Sequence, residues 1–232
     1  MRSRPFLYVV CLVVFLLLIN VGAHAQDIFV TPVANAPFTA VIDIERTIVN
    51  RNGSVIQMKN VRNIARDSQG RIHNESREPV PAESAKTPTL LSIHLYDPQT
   101  RISTIIDPSK RVFFTRVLNH PPATEPPSLR FSAPDGQAPP NEFAKEEDLG
   151  IREFEGVSAH GIRQTQTIPD AGGKETVVTD EYWYSADLRI NLLIKHEDPR
   201  SGSKTLMVNQ ITRTEPDPRF FEIPEGYKKT GN

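Results

Sequence analysis

The sequence predicts a mainly β protein, a single curved antiparallel sheet of about nine or ten strands with little helix. Apolar residues recur at every second position through most of the chain, as in half-buried strands. Turn sequences such as Asn52-Gly53, Asp97-Pro98 and Asp107-Pro108 separate the alternating runs. Between the runs the connections are short, so neighbours in sequence pair as hairpins.

The first residues read differently. Arg2 and Arg4 precede an apolar run from Phe6 to Ile19, and Gly22-Ala23-His24-Ala25 leads into Gln26. That is the order of a secretory signal peptide, with cleavage expected after Ala25 and a periplasmic or secreted product. An uncleaved anchor is the alternative, but crossing the hydrocarbon layer takes about 20 consecutive apolar residues and this run stops at Asn20. Either way the remainder lies outside the cytoplasm, without an integral membrane domain after cleavage.

The single cysteine, Cys11, falls inside that run, so the mature chain has no disulfide, thiol nucleophile or thiolate metal site. Removing Arg2 and Arg4 leaves 25 basic against 28 acidic residues, a net charge of −3. Such balance gives no electrostatic reason to expect nucleic acid or an anionic membrane as partner.

After an N-terminal segment, 26–37, a single β-rich domain spans 38–228 and a short tail 229–232 closes the chain. Ala40, Ile42, Ile44 and Ile48 alternate with Asp43, Glu45 and Thr47 in the first strand. The chain returns from Asn52-Gly53 through Val55 to Ala65, turns at Asp67-Ser68-Gln69-Gly70, and runs on from Arg71 to Arg77. Leu91, Ile93 and Leu95 mark the next strand, and the two Asp-Pro turns set off Ile102 to Ile106 and Val112 to Leu118.

Residues 119–140 hold Pro121, Pro122, Pro126, Pro127, Pro134, Pro139 and Pro140 and read as a long surface loop. A short helix is expected around Asn141 to Asp148. The meander then resumes with Gly156 to Ile168, a Gly-rich turn at Asp170 to Lys174, Thr176 to Tyr184, Arg189 to His196 and Thr205 to Arg213. Pro216 to Tyr227, rich in proline and aromatic residues, is expected to pack against the sheet edge.

Signatures of catalysis and metal binding are weak. The mature histidines, His73, His94, His120, His160 and His196, form no His-x-His or His-Glu-x-x-His pairing, so no metal site and no cofactor is expected. Gly-x-Ser-x-Gly does not occur, and Ala171-Gly172-Gly173-Lys174 lies between strands instead of opening a helix. Glu146, Glu147 and Asp148 read as solvated charges, because paired carboxylates do acid-base work only where their environments differ. The protein is therefore read as a non-enzyme.

Tyr182, Trp183 and Tyr184 are the unusual feature, three aromatics in a row on a strand. Tyr182 and Tyr184 share one face and Trp183 takes the other. Core packing is the common fate of such residues; an apolar ligand surface is the sharper alternative.

Five blocks are similar to those of an uncharacterised family of bacterial secreted or periplasmic proteins: Arg66-Asp67-Ser68-Gln69-Gly70-Arg71, Glu155 to Gly161, Glu181-Tyr182-Trp183-Tyr184-Ser185, Asp198-Pro199-Arg200-Ser201-Gly202, and Glu215 to Tyr227. In architecture, the strand-and-turn series resembles the LolA/LolB/RseB-like superfamily of outer-membrane lipoprotein carriers and envelope sensors. That resemblance implies a half-barrel whose concave side holds acyl chains, although the helices that plug such a half-barrel are hardly visible here. The expected function is that of a non-catalytic envelope protein binding a lipid, an acylated ligand or an envelope protein, with Tyr182, Trp183 and Tyr184 as contacts. A structural module of a surface assembly is the second expectation, and an unrecognised hydrolase the third.

Overall fold

The computed structural model describes residues 27–120, 122, 144–169 and 173–231. The signal segment, nearly all of the proline-rich loop and part of the Gly-rich turn lie outside them. Thirteen strands form one sheet: β1 Phe38–Val49, β2 Val55–Arg66, β3 Ile72–Arg77, β4 Val80–Pro81, β5 Leu90–Asp97, β6 Ile102–Asp107, β7 Val112–Val117, β8 Ala144–Phe154, β9 Val157–Pro169, β10 Glu175–Ser185, β11 Ile190–Asp198, β12 Gly202–Thr212 and β13 Lys228–Lys229. The order is β13-β7-β6-β5-β3-β2-β1-β12-β11-β10-β9-β8, with β4 paired to β2.

The expectation of nine or ten strands is corrected to thirteen. The ten alternating runs all form strands, and β4, β8 and β13 are additional. β4 and β13 have only two residues each, too few to show a period. β8 takes the place expected for a helix, since Glu146, Glu147 and Asp148 pair with Gln164, Arg163 and Ile162 of β9. Charged residues suit an edge strand because one flank stays in water. Among the described residues the helical content is a single turn, Pro218–Phe221.

Local chemistry accounts for the turns. Asp97, Asp107 and Asp198 each accept a hydrogen bond from a backbone amide two or three residues on, at 2.8 Å from Gln99, 3.1 Å from Lys110 and 2.9 Å from Arg200. Gly202 begins β12 at φ +117, where a Cβ would stand 1.9 Å from the Thr47 oxygen, so only glycine fits beside β1.

β1 sits mid-sheet, antiparallel to both β2 and β12. The register places Phe38, Ala40, Ile42, Ile44, Arg46 and Ile48 on one face with Arg66, Ile64, Arg62, Asn60 and Met58 of β2 and Val208, Leu206 and Lys204 of β12. This face is concave. Arg66 Nη2 donates to the carbonyl of Leu188, in the β10–β11 turn, at 2.8 Å. On a flat sheet β2 and β11 stand three strand spacings apart, about 14 Å, too far for one side chain.

Residues 27–36 form a strap along the upper half of the concave face. Ile28, Val30 and Val33 are buried in it, and Arg66 ties it down by donating to the carbonyls of Ala36 and Thr31, both at 2.9 Å. Below the strap lies the core of Phe38, Ile42, Ile64, Leu192, Ile194, Leu206 and Val208. The C-terminal segment packs on the opposite face of the N-terminal half, where Phe220 meets His73 edge-on at 5.2 Å, and β13 joins the β7 edge in parallel. The aromatic-proline segment expected at the sheet edge thus packs on a face through Phe220, and the chain reaches the edge only at Lys228–Lys229.

Candidate functional site

Alternation on β1, β2 and β12 sends Ile44, Ile48 and Met58 toward the concave face together with Arg46, Arg62 and Lys204. The strap covers the apolar half of that face, and its first described residue, Asp27, stands beside Arg62. Beyond Asp27 a cavity of about 300 Å³ opens. Its apolar wall is Ile44, Ile48, Met58 and Pro79, and its charged lining is Arg46, Lys59, Arg62, Lys204 and Asp27.

Arg62 holds Asp27 through both guanidinium nitrogens, Nη1 at 3.3 Å from Oδ2 and Nη2 on Oδ1. The Nε of Arg62 is buried with no hydrogen-bond partner. Burial holds the Lys204 ammonium below its ordinary pKa; Asp27 opposes this, and Arg62 and Arg46 add to it. Lys204 pairs across the sheet with His196 of β11, whose Nδ1 stands 2.8 Å from Asp180 Oδ1. The hydrogen bond to Asp180 raises the His196 pKa above its ordinary value. The arrangement offers an apolar surface bordered by cations, which suits binding more than bond-breaking. Among the described residues no group of three or more metal-ligating side chains converges.

Tyr182 lies on the concave side, paired with Ile194, and is 4% exposed. Burial, with Asp180 adding to it, raises the pKa of its hydroxyl. Trp183 lies on the other side and is 7% exposed, donating from Nε1 to Glu181 Oε1 at 2.7 Å. Its ring meets Phe154 at 5.8 Å and lies over Gly161, where a Cβ would stand 2.8 Å from it. Arg152 stacks on both rings. Tyr184 is half-buried and aligns with His160 of β9. Most of the Tyr182 and Trp183 surface is thus in contact with the chain's own core.

The acidic run ends as cross-strand pairs at the sheet edge: Glu147 with Arg163 at 3.2 Å and Asp148 with His160 at 2.8 Å. A second depression, on the opposite face, mixes Asp43 and Glu45 with Lys59 and Met207 and has no uniform charge.

Sequence reasoning missed Asp27, Arg46, Arg62 and Lys204. One signal was present, since Arg46 falls between Ile44 and Ile48 in the alternation and so shares their face. Nothing local connects it with Arg62 or Lys204.

No family model matches the chain, and no curated protein matches it. Among solved structures the fold resembles MucB, at 11% identity over 88% of this chain and 61% of that one, with a TM-score of 0.39. It also resembles a LolA superfamily protein from Nitrosomonas europaea, at 10% identity over 81% and 90% of the two chains and TM-score 0.29. The Mycobacterium tuberculosis lipoprotein LppX gives 12% identity over 77% and 88%, with TM-score 0.28. The chain spans about three fifths of the length of the MucB structure. The likeness is one of fold alone.

Proposed function

We propose that this chain is an exported, non-catalytic binding protein of the cell envelope that takes up an apolar ligand, or an acylated partner, on the concave face of its sheet. The observation that carries this reading is the cavity beside Asp27, where Ile48 and Met58 lie outside the chain's own core and Ile44, partly buried, packs against the core's edge. Open apolar surface on a curved sheet is a common setting for small ligands. Tyr182 and Tyr184 belong to this reading as the continuation of the concave face toward β9, while Trp183, on the other face, serves as a reporter of folding. Among the described residues no helix is long and apolar enough to cross a membrane.

Protein recovered after export is the material for the test. Its N-terminal sequence is expected to begin at Gln26. Native mass spectrometry is expected to show an apolar small molecule bound, or uptake of a short-chain detergent, and Ile48→Glu is expected to abolish it. A protein that carries and takes up nothing apolar, with or without the substitution, refutes the reading.

A further inference from the structure

Basic residues outnumber acidic ones in the lining of the cavity beside Asp27. Arg46 of β1 stands opposite Lys204 of β12, and Arg62 lies two positions up the same face on β2. The cavity lining holds one carboxylate, Asp27, beside these three cations and Lys59. Like charges on a partly buried surface repel, and a buried donor without an acceptor costs free energy. Both conditions meet at Arg62, which carries the orphaned Nε and grips Asp27 with its other two nitrogens. The same cations border the apolar wall of Ile44, Ile48 and Met58.

We propose that this cavity binds an anionic amphiphile, its phosphate or carboxylate head held among Arg46, Arg62 and Lys204 and its chain lying along Ile44, Ile48 and Met58. Asp27 then acts as an internal occupant of the head-group position, a carboxylate on the strap that the ligand's own anion replaces on Arg62. Charge-assisted contacts from guanidinium to phosphate or carboxylate are short, paired and strong, which fits the forked hold already made on Asp27. The inference rests on the concave-face reading above and adds to it the sign and position of the head group.

Calorimetric titration of the exported protein at low salt separates the possibilities, with decyl phosphate, decanoate, decyl maltoside and inorganic phosphate as probes. Decyl phosphate or decanoate is expected to bind at least about tenfold tighter than the neutral maltoside, and to weaken at high salt. Arg46→Gln combined with Lys204→Gln is expected to remove that margin. Asp27→Asn is expected to raise the affinity for the anionic probes several-fold, because the internal competitor is gone. Arg46 is exposed, so Arg46→Gln alone carries the test if the double variant does not fold. Equal binding of maltoside and anionic probes, unchanged in the variants, overturns the head-group inference and leaves the apolar reading standing. Inorganic phosphate binding as tightly as decyl phosphate overturns the amphiphile. Failure of every amphiphile to bind overturns the apolar reading with it.

Discussion

Replacing Arg66 by methionine removes the group that joins the strap, β2 and the β10–β11 turn while keeping an apolar stem of similar length. Arg66 is fully buried. It donates from Nε to Ala36 at 2.9 Å, from Nη1 to the Thr31 carbonyl at 2.9 Å and hydroxyl at 3.2 Å, and from Nη2 to Leu188 at 2.8 Å, with its guanidinium 5.0 Å from the Phe38 ring centroid. Methionine leaves three carbonyls without this donor. Hydrogen bonds from a charged donor contribute about 1.5–3 kcal/mol each, so the gross loss is about 5–9 kcal/mol. Against this stands the desolvation of a buried charge, about several kcal/mol, which also lowers the Arg66 pKa to about 10. The net expectation is a destabilisation of about 2–4 kcal/mol. Urea unfolding followed by Trp183, the one tryptophan, measures it. Hydrogen exchange adds location, because the Asn35 amide, bonded to Ser68 at 2.9 Å, should exchange faster in the variant while β11 stays protected. A loss below about 1 kcal/mol, or strap amides that exchange as before, refutes the claim that Arg66 holds the strap.

Burial pushes the Glu75 carboxyl up, but the His73 ring 3.9 Å away and hydrogen bonds from Arg77 and Asn63 outweigh it and hold the pKa at about 2. Its folded pKa lies below its unfolded one, so the stability is present above about pH 4.5 and is lost as pH falls toward about 2; Glu75→Gln should flatten acid unfolding in that window by about 2 kcal/mol, read from urea midpoints against pH. His196 has the opposite sign. Its contribution is complete below its unfolded value near 6.5 and fades as pH rises through the raised folded pKa, and in Asp180→Asn an NMR titration should show that pKa fall. Gly161→Ala places a methyl against the Trp183 ring and Leu149, and should cost about 1–3 kcal/mol with a changed Trp183 emission spectrum; unchanged stability and emission count against the described packing.

The alternation at Ala40, Ile42, Ile44 and Ile48 and the Asp-headed turns were legible because both are local. A strand's period is two whatever it pairs with, and an aspartate caps its own turn two or three residues away. β8 was not legible. Lys145 to Asp148 carries four charges in succession, and only the partner strand β9 makes an extended edge of it. The strap shows the same limit, since Ile28, Val30 and Val33 say that a face is buried but not which surface covers it.

The candidate site lay still further from the sequence. Tyr182, Trp183 and Tyr184 stood out because consecutive aromatics are rare, and the tertiary structure turned most of the Tyr182 and Trp183 surface to the core. Asp27, Arg46, Arg62 and Lys204 are ordinary charged residues in sequence, and Asp27 and Lys204 are far apart along the chain. The sequence by itself determined where strands begin, where they turn and which side chains alternate, since those depend on neighbours two residues away. Which alternating faces meet was decided by the register of β1 with β2 and β12 and by the bend that brings Leu188 over Arg66. A cation cluster beside an apolar wall arises only when that register brings three strands and Asp27 together.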